Sequence, residues 1–227
     1  MTSNKHSIII AIDGPAGSGK STTARLVAQR LGFIYVDTGA MYRAVTLAWL
    51  REEKPEIDIF LNNLPDISLS RDSETQEQKT LLDGVDVSNA IRTSEVTEQV
   101  SYISSLKKVR EKMVSIQRNI GIDHNVVMDG RDIGTAVFPN ADVKIFMIAD
   151  LKKRASRRLE EIQSKGIHQV PSLDELIQQM KDRDAFDSSR EIDPLKMADD
   201  ALLLDTSNLS IEDQATFIID KVKSIIV

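Results

Sequence analysis

The chain of 227 residues carries 29 Lys and Arg against 35 Asp and Glu, which gives a formal net charge of −6 and a pI near 5.2. This acidic balance argues against a protein that holds duplex nucleic acid by neutralising many phosphates. The absence of cysteine excludes disulfides, thiolate metal sites and a thiol nucleophile, and three histidines disfavour a His-rich metal cluster. The apolar run Ile8–Ile12 is far too short to span a membrane, so we expect a cytoplasmic protein.

Short β-branched runs alternate along the chain with longer stretches of helical periodicity, which is typical of parallel βαβ units in an α/β protein. Strands are predicted at Ile8–Ile12, Phe33–Val36, Val126–Met128, Val143–Ile148 and Ala201–Leu204. Helices are predicted at Lys20–Leu31, Ala40–Glu52, Leu151–Lys165, Leu173–Arg183 and Ile211–Ile226. Gly32 is expected to end the first of these helices.

The middle of the chain departs from this rhythm. Three short strands are predicted at Ile67–Ser70, Thr80–Leu82 and Val85–Val87, the last two joined by a tight Asp-Gly turn. Residues 64–92 are therefore interpreted as a small β insert, the best candidate for a second, smaller domain.

A helical stretch that begins at Ser94 is expected to break at two adjacent serines. Ser104 or Ser105 would cap a second helix, and Gly121 would end that helix.

The junction between the first strand and the first helix fits the pattern G-x-x-x-x-G-K-[ST]. With the following threonine, its residues are Gly14, Pro15, Ala16, Gly17, Ser18, Gly19, Lys20, Ser21 and Thr22. The glycines let backbone N–H groups turn toward phosphate oxygens, and the helix N-terminus adds the positive end of its dipole. Lys20 is expected on the terminal phosphates and the Ser21 hydroxyl on Mg²⁺, so the sequence predicts nucleoside triphosphate binding.

A phosphate loop alone serves GTPases, ATPase motors and small-molecule kinases. A guanine-specific GTPase should also show N-K-x-D and D-x-x-G motifs downstream, and the sequence shows neither. A motor or helicase domain would usually be larger and would need a surface for nucleic acid, which the net charge disfavours. Kinases are the class that remains.

A carboxylate follows the apolar strand Val126–Met128. Asp129 at this position would lie near the metal ion of a phosphate-loop protein, although it could equally cap the turn before Gly130. In the run Asp-Gly-Arg-Asp that starts there, two carboxylates flank Arg131. The run could equally be a self-satisfied turn, in which these carboxylates pair with the Arg131 guanidinium.

Two further groups of charges lie near the C-terminal third of the chain. Lys152, Lys153, Arg154, Arg157 and Arg158 concentrate five cations in seven residues of a predicted helix. Such a helix is either an exposed basic face or one that closes over the phosphates. The group around Arg183 and Arg190 is likewise ambiguous, because a solvated salt-bridged face would look the same.

Phosphoryl transfer to a nucleoside monophosphate needs little more than these charges. The acceptor phosphate has a second pKa of about 6 and is largely ionised near pH 7, so no catalytic base is required. Positioning and positive charge, which screens the repulsion between two anionic partners, supply the catalysis.

Four segments, Ile10–Thr22, Tyr35–Arg43, Asp129–Thr135 and Arg183–Arg190, together form a pattern that resembles the bacterial cytidylate kinases. The run D-G-R-D-I-G-T is far more specific than the phosphate loop. The resemblance implies a nucleoside monophosphate kinase fold, with a five-stranded parallel sheet flanked by helices, a small β insert in the acceptor-binding domain and a mobile helical lid. On that division, residues 1–63, 93–150 and 193–227 form the core, 64–92 the insert and 151–192 the lid region.

The resemblance also implies the transfer of the γ-phosphate of ATP to CMP or dCMP with Mg²⁺, by a monomer without nucleic-acid or membrane partners. The implied catalytic residues are Lys20, Arg131, Arg154, Arg158 and Arg183, with Arg157 competing for a lid role. The implied acceptor-binding residues are Thr38, Arg43, Ser101, Arg110, Arg131, Asp132, Asp187 and Arg190, and the implied metal ligands are Ser21 and Asp129.

Within that set, the acceptor base is expected near Ser101, Arg110 and Asp132. The exocyclic amine of cytosine donates to a carboxylate, and its N3 and O2 accept from an arginine, whereas uracil presents a carbonyl to Asp132. Two alternatives stay open: a kinase of the same architecture for UMP, AMP or a small metabolite, and a binding protein switched by ATP. A binding protein switched by ATP would not need a second anion site, which the basic helix and the charged groups at residues 129–132 and 183–190 indicate.

Overall fold

The computed structural model describes residues 7–75, 77–164 and 170–226. The strands, in chain order, are β1 (Ile9–Asp13), β2 (Ile34–Asp37), β3 (Ile67–Arg71), β4 (Gln78–Leu82), β5 (Val85–Asp86), β6 (Val126–Gly130), β7 (Val143–Ile148) and β8 (Leu202–Asp205). The α-helices are α1 (Lys20–Leu31), α2 (Thr38–Arg51), α3 (Ile57–Asn62), α4 (Ser94–Ser105), α5 (Lys107–Ile122), α6 (Leu151–Ser164), α7 (Leu173–Ser189) and α8 (Ile211–Ile226). Every predicted strand and helix has a counterpart among them.

The larger sheet is parallel and has the order β2-β6-β1-β7-β8, so the predicted five-stranded fold is confirmed. In its register Asp13 pairs with Gly130, and Asp37 pairs with Asp129. The last residues of β1, β2 and β6 therefore lie side by side at the carboxyl edge. In open α/β sheets this edge is where ligands bind.

Both faces of this sheet are covered, which explains why its strands are continuous apolar runs rather than alternating ones. Ile10 and Ile12 of β1 pack with α1 and α8, where Val27 and Ile218 are fully buried. Ala11 points to the opposite face. There it shares a cluster with Val36, Met128, Ile133 and Val137, against which residues of α5 pack.

Strands β3, β4 and β5 form a separate antiparallel sheet where the β insert was predicted. The Asp83-Gly84 turn has positive φ at both residues, 49° and 79°, as a two-residue hairpin of twisted strands requires. Ile67 and Leu82 lie in one hydrophobic cluster with Met41 of α2. The small sheet thus shares its core with α2, α4 and α5.

The small sheet also contacts the edge strand β2. The Gln78 side chain accepts from the Asp37 backbone N–H at 2.9 Å and donates to the Asp37 carbonyl at 3.4 Å. The Arg92 side chain forms an ion pair with the Asp37 carboxylate at 3.1 Å. These contacts tie the insert to the residue that precedes Thr38.

The predicted break between two helices is confirmed, but its predicted cap is wrong. Leu106, with an extended ψ of 127°, separates α4 from α5 and provides no side-chain cap. The Ser104 and Ser105 hydroxyls instead donate back to the carbonyls of Ser101 and Tyr102. Serines at a helix C-terminus bond to their own last turn, so they are not free to cap the next helix.

Gly121 does not end α5, which continues to Ile122. A Cβ atom on Gly121 would lie 2.6 Å from the Phe138 ring, so close packing rather than helix termination requires glycine here. Helix α7 runs six residues beyond the predicted end at Arg183, to Ser189, after a Ser172–Glu175 capping box at its start.

The predicted last residue of the lid helix, Lys165, lies outside the described residues. Within the part of the chain that the structure describes, no helix is long and apolar enough to cross a membrane.

Candidate active site

The phosphate loop connects β1 to α1 at the carboxyl edge of the sheet. The N-cap residue of α1, Gly19, has no side chain to occupy the free N–H groups of the first helical turn, and that turn holds no acidic residue. Lys20 is buried and its Nζ donates to the Pro15 carbonyl at 2.7 Å and to the Ser18 hydroxyl at 3.4 Å. The Lys20 side chain therefore reaches back over the loop to where phosphate oxygens would lie.

Gly14 cannot be replaced without moving the sheet. Its φ is 146°, and a Cβ atom there would lie 2.0 Å from the Met147 carbonyl oxygen of β7. The tight approach of the loop to β7 fixes its path. Thr206, which follows β8, donates to the Ser18 carbonyl at 2.8 Å and supports the loop from the other side.

Asp129 lies next to the phosphate loop, although it is 108 residues away from Ser21 in sequence. The Ser21 hydroxyl donates to one Asp129 carboxylate oxygen at 2.8 Å, and the Tyr35 hydroxyl donates to the other at 2.9 Å. Burial raises the pKa of Asp129, an effect that nearby Asp37 reinforces. The Asp129 carboxylate thus faces the loop and does not cap the turn before Gly130.

Five cations are close enough to act on one another electrostatically, and we call them the cation cluster: Lys20, Arg43, Arg131, Arg158 and Arg183. Burial and the charge of Arg131 lower the pKa of Arg183 to about 10. Burial and the charge of Arg183 lower the pKa of Arg43 to about 9. Burial lowers the pKa of Lys20, with Arg131 and Arg183 adding to the effect. Such mutual repulsion is the mark of a site built for a polyanion.

Two of these cations, Arg131 and Arg158, pair with carboxylates, whereas Lys20, Arg43 and Arg183 form no ion pair within the described residues. Arg43 donates to the Thr97 hydroxyl at 2.8 Å and to the Ile91 carbonyl at 3.3 Å, both neutral oxygens. Within the described ranges, the buried Nε of Arg183 has no hydrogen-bond partner. A buried donor without a partner is costly, and a bound anion would satisfy it.

The lid arginines have different surroundings. Arg154 is buried and donates to the Ala16 carbonyl at 2.9 Å and the Asp184 carboxylate at 2.7 Å, so it links α6 to the loop and to α7. Arg158 pairs with Glu161 at 2.7 Å. Its positive charge contributes to the lowered pKa values of Arg43 and Arg183. Arg157 donates to the Thr206 carbonyl at 2.7 Å.

Beside the cation cluster lies a second group, which we call the Arg–Asp network: Arg110, Asp132, Arg190 and Asp193. Arg110 donates to the carboxylates of Asp132 and, at 2.8 Å, Asp193. Arg190 donates to the Asp132 carboxylate at 3.3 Å. Burial raises the pKa of Asp132, while the charges of Arg110 and Arg190 oppose that rise. With two cations and two carboxylates, this network is neutral.

Arg131, a member of the cation cluster, lies near the Arg–Asp network because it binds Asp187, whose charge also acts on Arg190. Its Nε donates to the Asp187 carboxylate at 2.9 Å, and its Nη1 donates to the Gly130 carbonyl at 3.4 Å. Arg131 is therefore held by α7, and the interpretation of residues 129–132 as a self-satisfied turn is wrong. Thr38, at the start of α2, is buried and its hydroxyl donates to the Asp129 carbonyl at 2.7 Å.

Of the predicted base-binding residues, Arg110 and Asp132 are in direct contact. Ser101 lies in the last turns of α4, where its carbonyl accepts from Ser104. The backbone break at Leu106 separates the helix of Ser101 from that of Arg110, whose Nη1 donates to the Ser104 carbonyl at 3.3 Å.

Three residues of the site were not singled out from the sequence. Asp13 accepts from the backbone N–H groups of Ile133 and Gly134 at 2.8 and 2.7 Å, and so fixes the turn after Asp132. Burial raises the pKa of Asp13 to about 7. The Arg110 Cζ atom lies over the Tyr42 ring, 5.6 Å from the ring centroid. Asp193 binds the same guanidinium.

Some of these residues could have been found and some could not. Asp13 ends the first apolar strand immediately before the phosphate loop, a pattern that already indicates the carboxyl edge of the sheet. Asp193 lies in a polar turn before a proline, where an acidic residue is ordinary.

Comparison with known proteins agrees with this geometry. The cytidylate kinase family model matches residues 10–224. A cytidylate kinase of Chlorobaculum tepidum is 49% identical over 224 residues, covering 98% of this chain and 95% of its own, and one of Chloroherpeton thalassium is 51% identical over 223 residues, covering 96% and 94%.

Among solved structures, an uncharacterized protein from Eubacterium ventriosum has the same fold, with a TM-score of 0.52 at 12% identity, over 96% of this chain and 99% of its own. Because the family model spans nearly the whole sequence and about half of the residues are identical in full-length relatives, the chain belongs to the cytidylate kinase family.

Proposed function

We propose that the protein transfers the γ-phosphate of ATP to CMP or dCMP, giving ADP and CDP or dCDP. The observation that carries the proposal is a cluster of five cations, three of which form no ion pair within the described residues, together with a neutral Arg–Asp network. The first suits two sets of phosphates, and the second suits an uncharged base. Membership of the cytidylate kinase family supports the same assignment.

ATP would bind through residues 14–22. The first-turn N–H groups of α1 and the buried amine of Lys20 would contact the phosphates, and Lys20 would follow the γ-phosphate during transfer. The Arg154 bond to the Ala16 carbonyl holds the loop in this shape. Arg158 and Arg183 would neutralise the charge that develops on the transferring group.

The donor set fits Mg²⁺ bound mainly by the triphosphate. A hydroxyl and a carboxylate, on Ser21 and Asp129, lie 2.8 Å apart, and both supply the oxygen ligands that Mg²⁺ prefers. Phosphate oxygens and water would complete the coordination of the ion. The ion would neutralise phosphate charge, while Tyr35 orients the Asp129 carboxylate.

The acceptor phosphate would bind among Arg43, Arg131 and Arg183. These guanidiniums would offset the repulsion between two anions, and no base is needed because the attacking phosphate oxygen is already ionised near pH 7. Thr38 lies at the start of α2, the helix that also carries Arg43. Asp187 and Arg190, at the end of α7, would contact the acceptor sugar, which would let the enzyme accept both ribose and deoxyribose.

The base would be read by Ser101, Arg110 and Asp132. Asp132 would accept from the exocyclic amine of cytosine, and Arg110 would donate to N3 and O2. A uracil carbonyl facing Asp132 would leave buried polar groups unpaired, which is a strong form of discrimination. On this assignment a single buried Arg–Asp pair would suffice for selectivity.

The finer expectations from the sequence belong to the same proposal. The enzyme would act on small molecules without a nucleic-acid or membrane partner, as a monomer in the cytoplasm. Residues 64–92 would form the insert of the acceptor-binding domain and residues 151–192 the lid region. Gel filtration with and without nucleotides tests the oligomeric state.

Formation of ADP from Mg-ATP, measured in parallel with CMP, dCMP, UMP, AMP, GMP and no acceptor, tests the proposal. Turnover with CMP and dCMP at least about 100-fold above the other reactions is the expected result. Equal rates with every nucleotide, or hydrolysis that does not depend on an acceptor, would overturn it.

A further inference from the structure

Asp193 makes contacts that are unusual for a residue in an exposed turn. It follows α7, and its φ of +46° lies in the left-handed region, which costs energy for a residue other than glycine. Its side chain, about one third exposed, accepts from the Nε of fully buried Arg110 at 2.8 Å. Its carbonyl accepts from the Nε of Arg190 at 2.7 Å. One strained residue thus binds both arginines of the Arg–Asp network.

The turn that carries Asp193 is tied to α7 and, through Asp187, to Arg131. The Leu195 N–H donates to the Asp187 carbonyl at 2.8 Å, and Asp187 itself binds Arg131. The Asp193 carboxylate is therefore held at a set distance from the Arg110 guanidinium, and the strain at its backbone is the cost of that placement.

The contacts of Arg110 determine which of its donors a ligand can use. A guanidinium has five N–H groups. Among the described residues Arg110 donates to Asp193 through Nε, to the Ser104 carbonyl through Nη1 and to Asp132 through Nη2. Two N–H groups, one on each Nη, are left, and cytosine presents two adjacent acceptors, N3 and O2.

Charge balance points the same way. Without Asp193, two arginines would face a single carboxylate, and the buried network would carry a net positive charge. A neutral pocket suits a neutral base, and a fixed guanidinium suits a base with acceptors at N3 and O2. In uracil N3 is a donor, which a guanidinium held in this orientation repels.

We propose that Asp193 is a positioning residue that fixes the Arg110 guanidinium and thereby sets the preference of the acceptor site for a cytosine over a uracil base. This inference rests on the proposed function. Asp193 acts through Arg110, away from the reacting phosphates, so its loss should change the binding of the acceptor and leave the rate of transfer nearly intact.

Three substitutions separate the contributions of Asp193. Asp193→Asn keeps the size and one acceptor oxygen, and asparagine tolerates a positive φ. Asp193→Ala removes the side-chain contact, and Asp193→Gly removes it while relieving the backbone strain. All three keep the carbonyl that accepts from Arg190. Asp200→Asn is the matched control, because Asp200 is an exposed carboxylate that pairs at 2.7 Å with a buried cation, Lys144, outside the network.

The KM for CMP should rise about 10-fold in Asp193→Ala and Asp193→Gly and about threefold in Asp193→Asn, with kcat within about twofold of wild type. The ratio of kcat/KM for CMP to that for UMP should fall about 10-fold in the first two variants. Circular dichroism and thermal unfolding identify any variant that fails to fold, and the asparagine variant then decides the question.

A KM for CMP and a CMP:UMP ratio within twofold of wild type in Asp193→Ala would overturn the inference, as would an equal effect in Asp200→Asn. These results differ from a failure of the proposed function, in which the wild-type enzyme itself would show equal rates with every nucleotide or hydrolysis that does not depend on an acceptor. Calorimetric titration of CMP into each protein gives the same comparison without ATP.

Discussion

The cation cluster and the Arg–Asp network are the two ends of the candidate site, and they hold their charged side chains in opposite ways. In front of the phosphate loop, Lys20, Arg43 and Arg183 donate to neutral oxygens or, for one buried nitrogen, find no partner in the described structure. At the other end, Arg110 and Arg190 are matched by carboxylates. Burial and neighbouring cations lower the pKa values of Lys20, Arg43 and Arg183. Burial also lowers the pKa of Arg190, but at Arg110 the charges of Asp132 and Asp193 outweigh burial and raise the pKa.

This difference follows from the ligands that the two ends would take. A cluster of like charges is unfavourable until a polyanion enters, so part of the stability of the free protein is given up for phosphate binding. A neutral base provides no countercharge, so the groups that read it must balance each other beforehand. Variants that remove one charge from either end should therefore behave differently.

The largest effect is expected from the phosphate-loop lysine. Lys20→Met should lower kcat about 10³-fold, because the amine that follows the γ-phosphate is lost, and should leave the KM for CMP within about threefold of wild type. Steady-state kinetics with varied CMP separates the two parameters. Lys223→Met, on the exposed last turn of α8, controls for the loss of a lysine, and a kcat loss below tenfold in Lys20→Met would contradict this role.

A change at the base-reading end should alter selectivity more than rate. Asp132→Asn should lower the ratio of kcat/KM for CMP to that for UMP about 10²-fold, because the new amide can donate to the uracil carbonyl. Asp187→Asn provides the matched control: it should slow the reactions of both nucleotides without changing their ratio. Unchanged selectivity in Asp132→Asn would refute the assignment of the base site.

A smaller effect, on stability, is expected from the carboxylate between the two ends. Burial raises the pKa of Asp13 from 3.8 in the unfolded chain to about 7 in the folded protein. A raised pKa makes a contribution to stability that is fully present below about pH 4 and is lost as the pH rises through about 7.

We therefore compare the free energy of unfolding of wild type with that of Asp13→Asn. The difference, wild type minus variant, should decrease by about a few kcal/mol between pH 4 and pH 8. Urea unfolding of both proteins at each pH measures it, and groups present in both proteins largely cancel. A difference that stays constant over this range would contradict the assignment.

The sequence predicts the fold of this chain better than its site. Each strand of the large sheet lies within about two residues of its predicted position, because buried parallel strands are continuous apolar runs bounded by polar residues. The break between α4 and α5 was predicted correctly, but the hydrogen bonds of Ser104 and Ser105 and the role of Gly121 were not. The serine bonds depend on which carbonyls lie nearby, and the need for glycine at 121 depends on the distant Phe138.

In the site, local motifs identify the phosphate loop, whereas the partners of each charge come from far along the chain. Ser21 meets Asp129 across 108 residues, and Arg110 meets Asp193 across 83. No spacing rule encodes such pairs. A short run such as residues 129–132 could therefore be interpreted as self-paired, although Arg131 binds α7 instead.

The contrast between the two ends is tested most directly by one matched pair of arginine variants, Arg183→Met and Arg110→Met, unfolded thermally without nucleotide. Arg183→Met should keep or raise the melting temperature, because a repelled cation is removed, while kcat falls about 10²-fold. Arg110→Met should lower the melting temperature by roughly 5–10 °C, because it leaves two carboxylates without their main partner. Equal losses of stability in both variants would contradict the account.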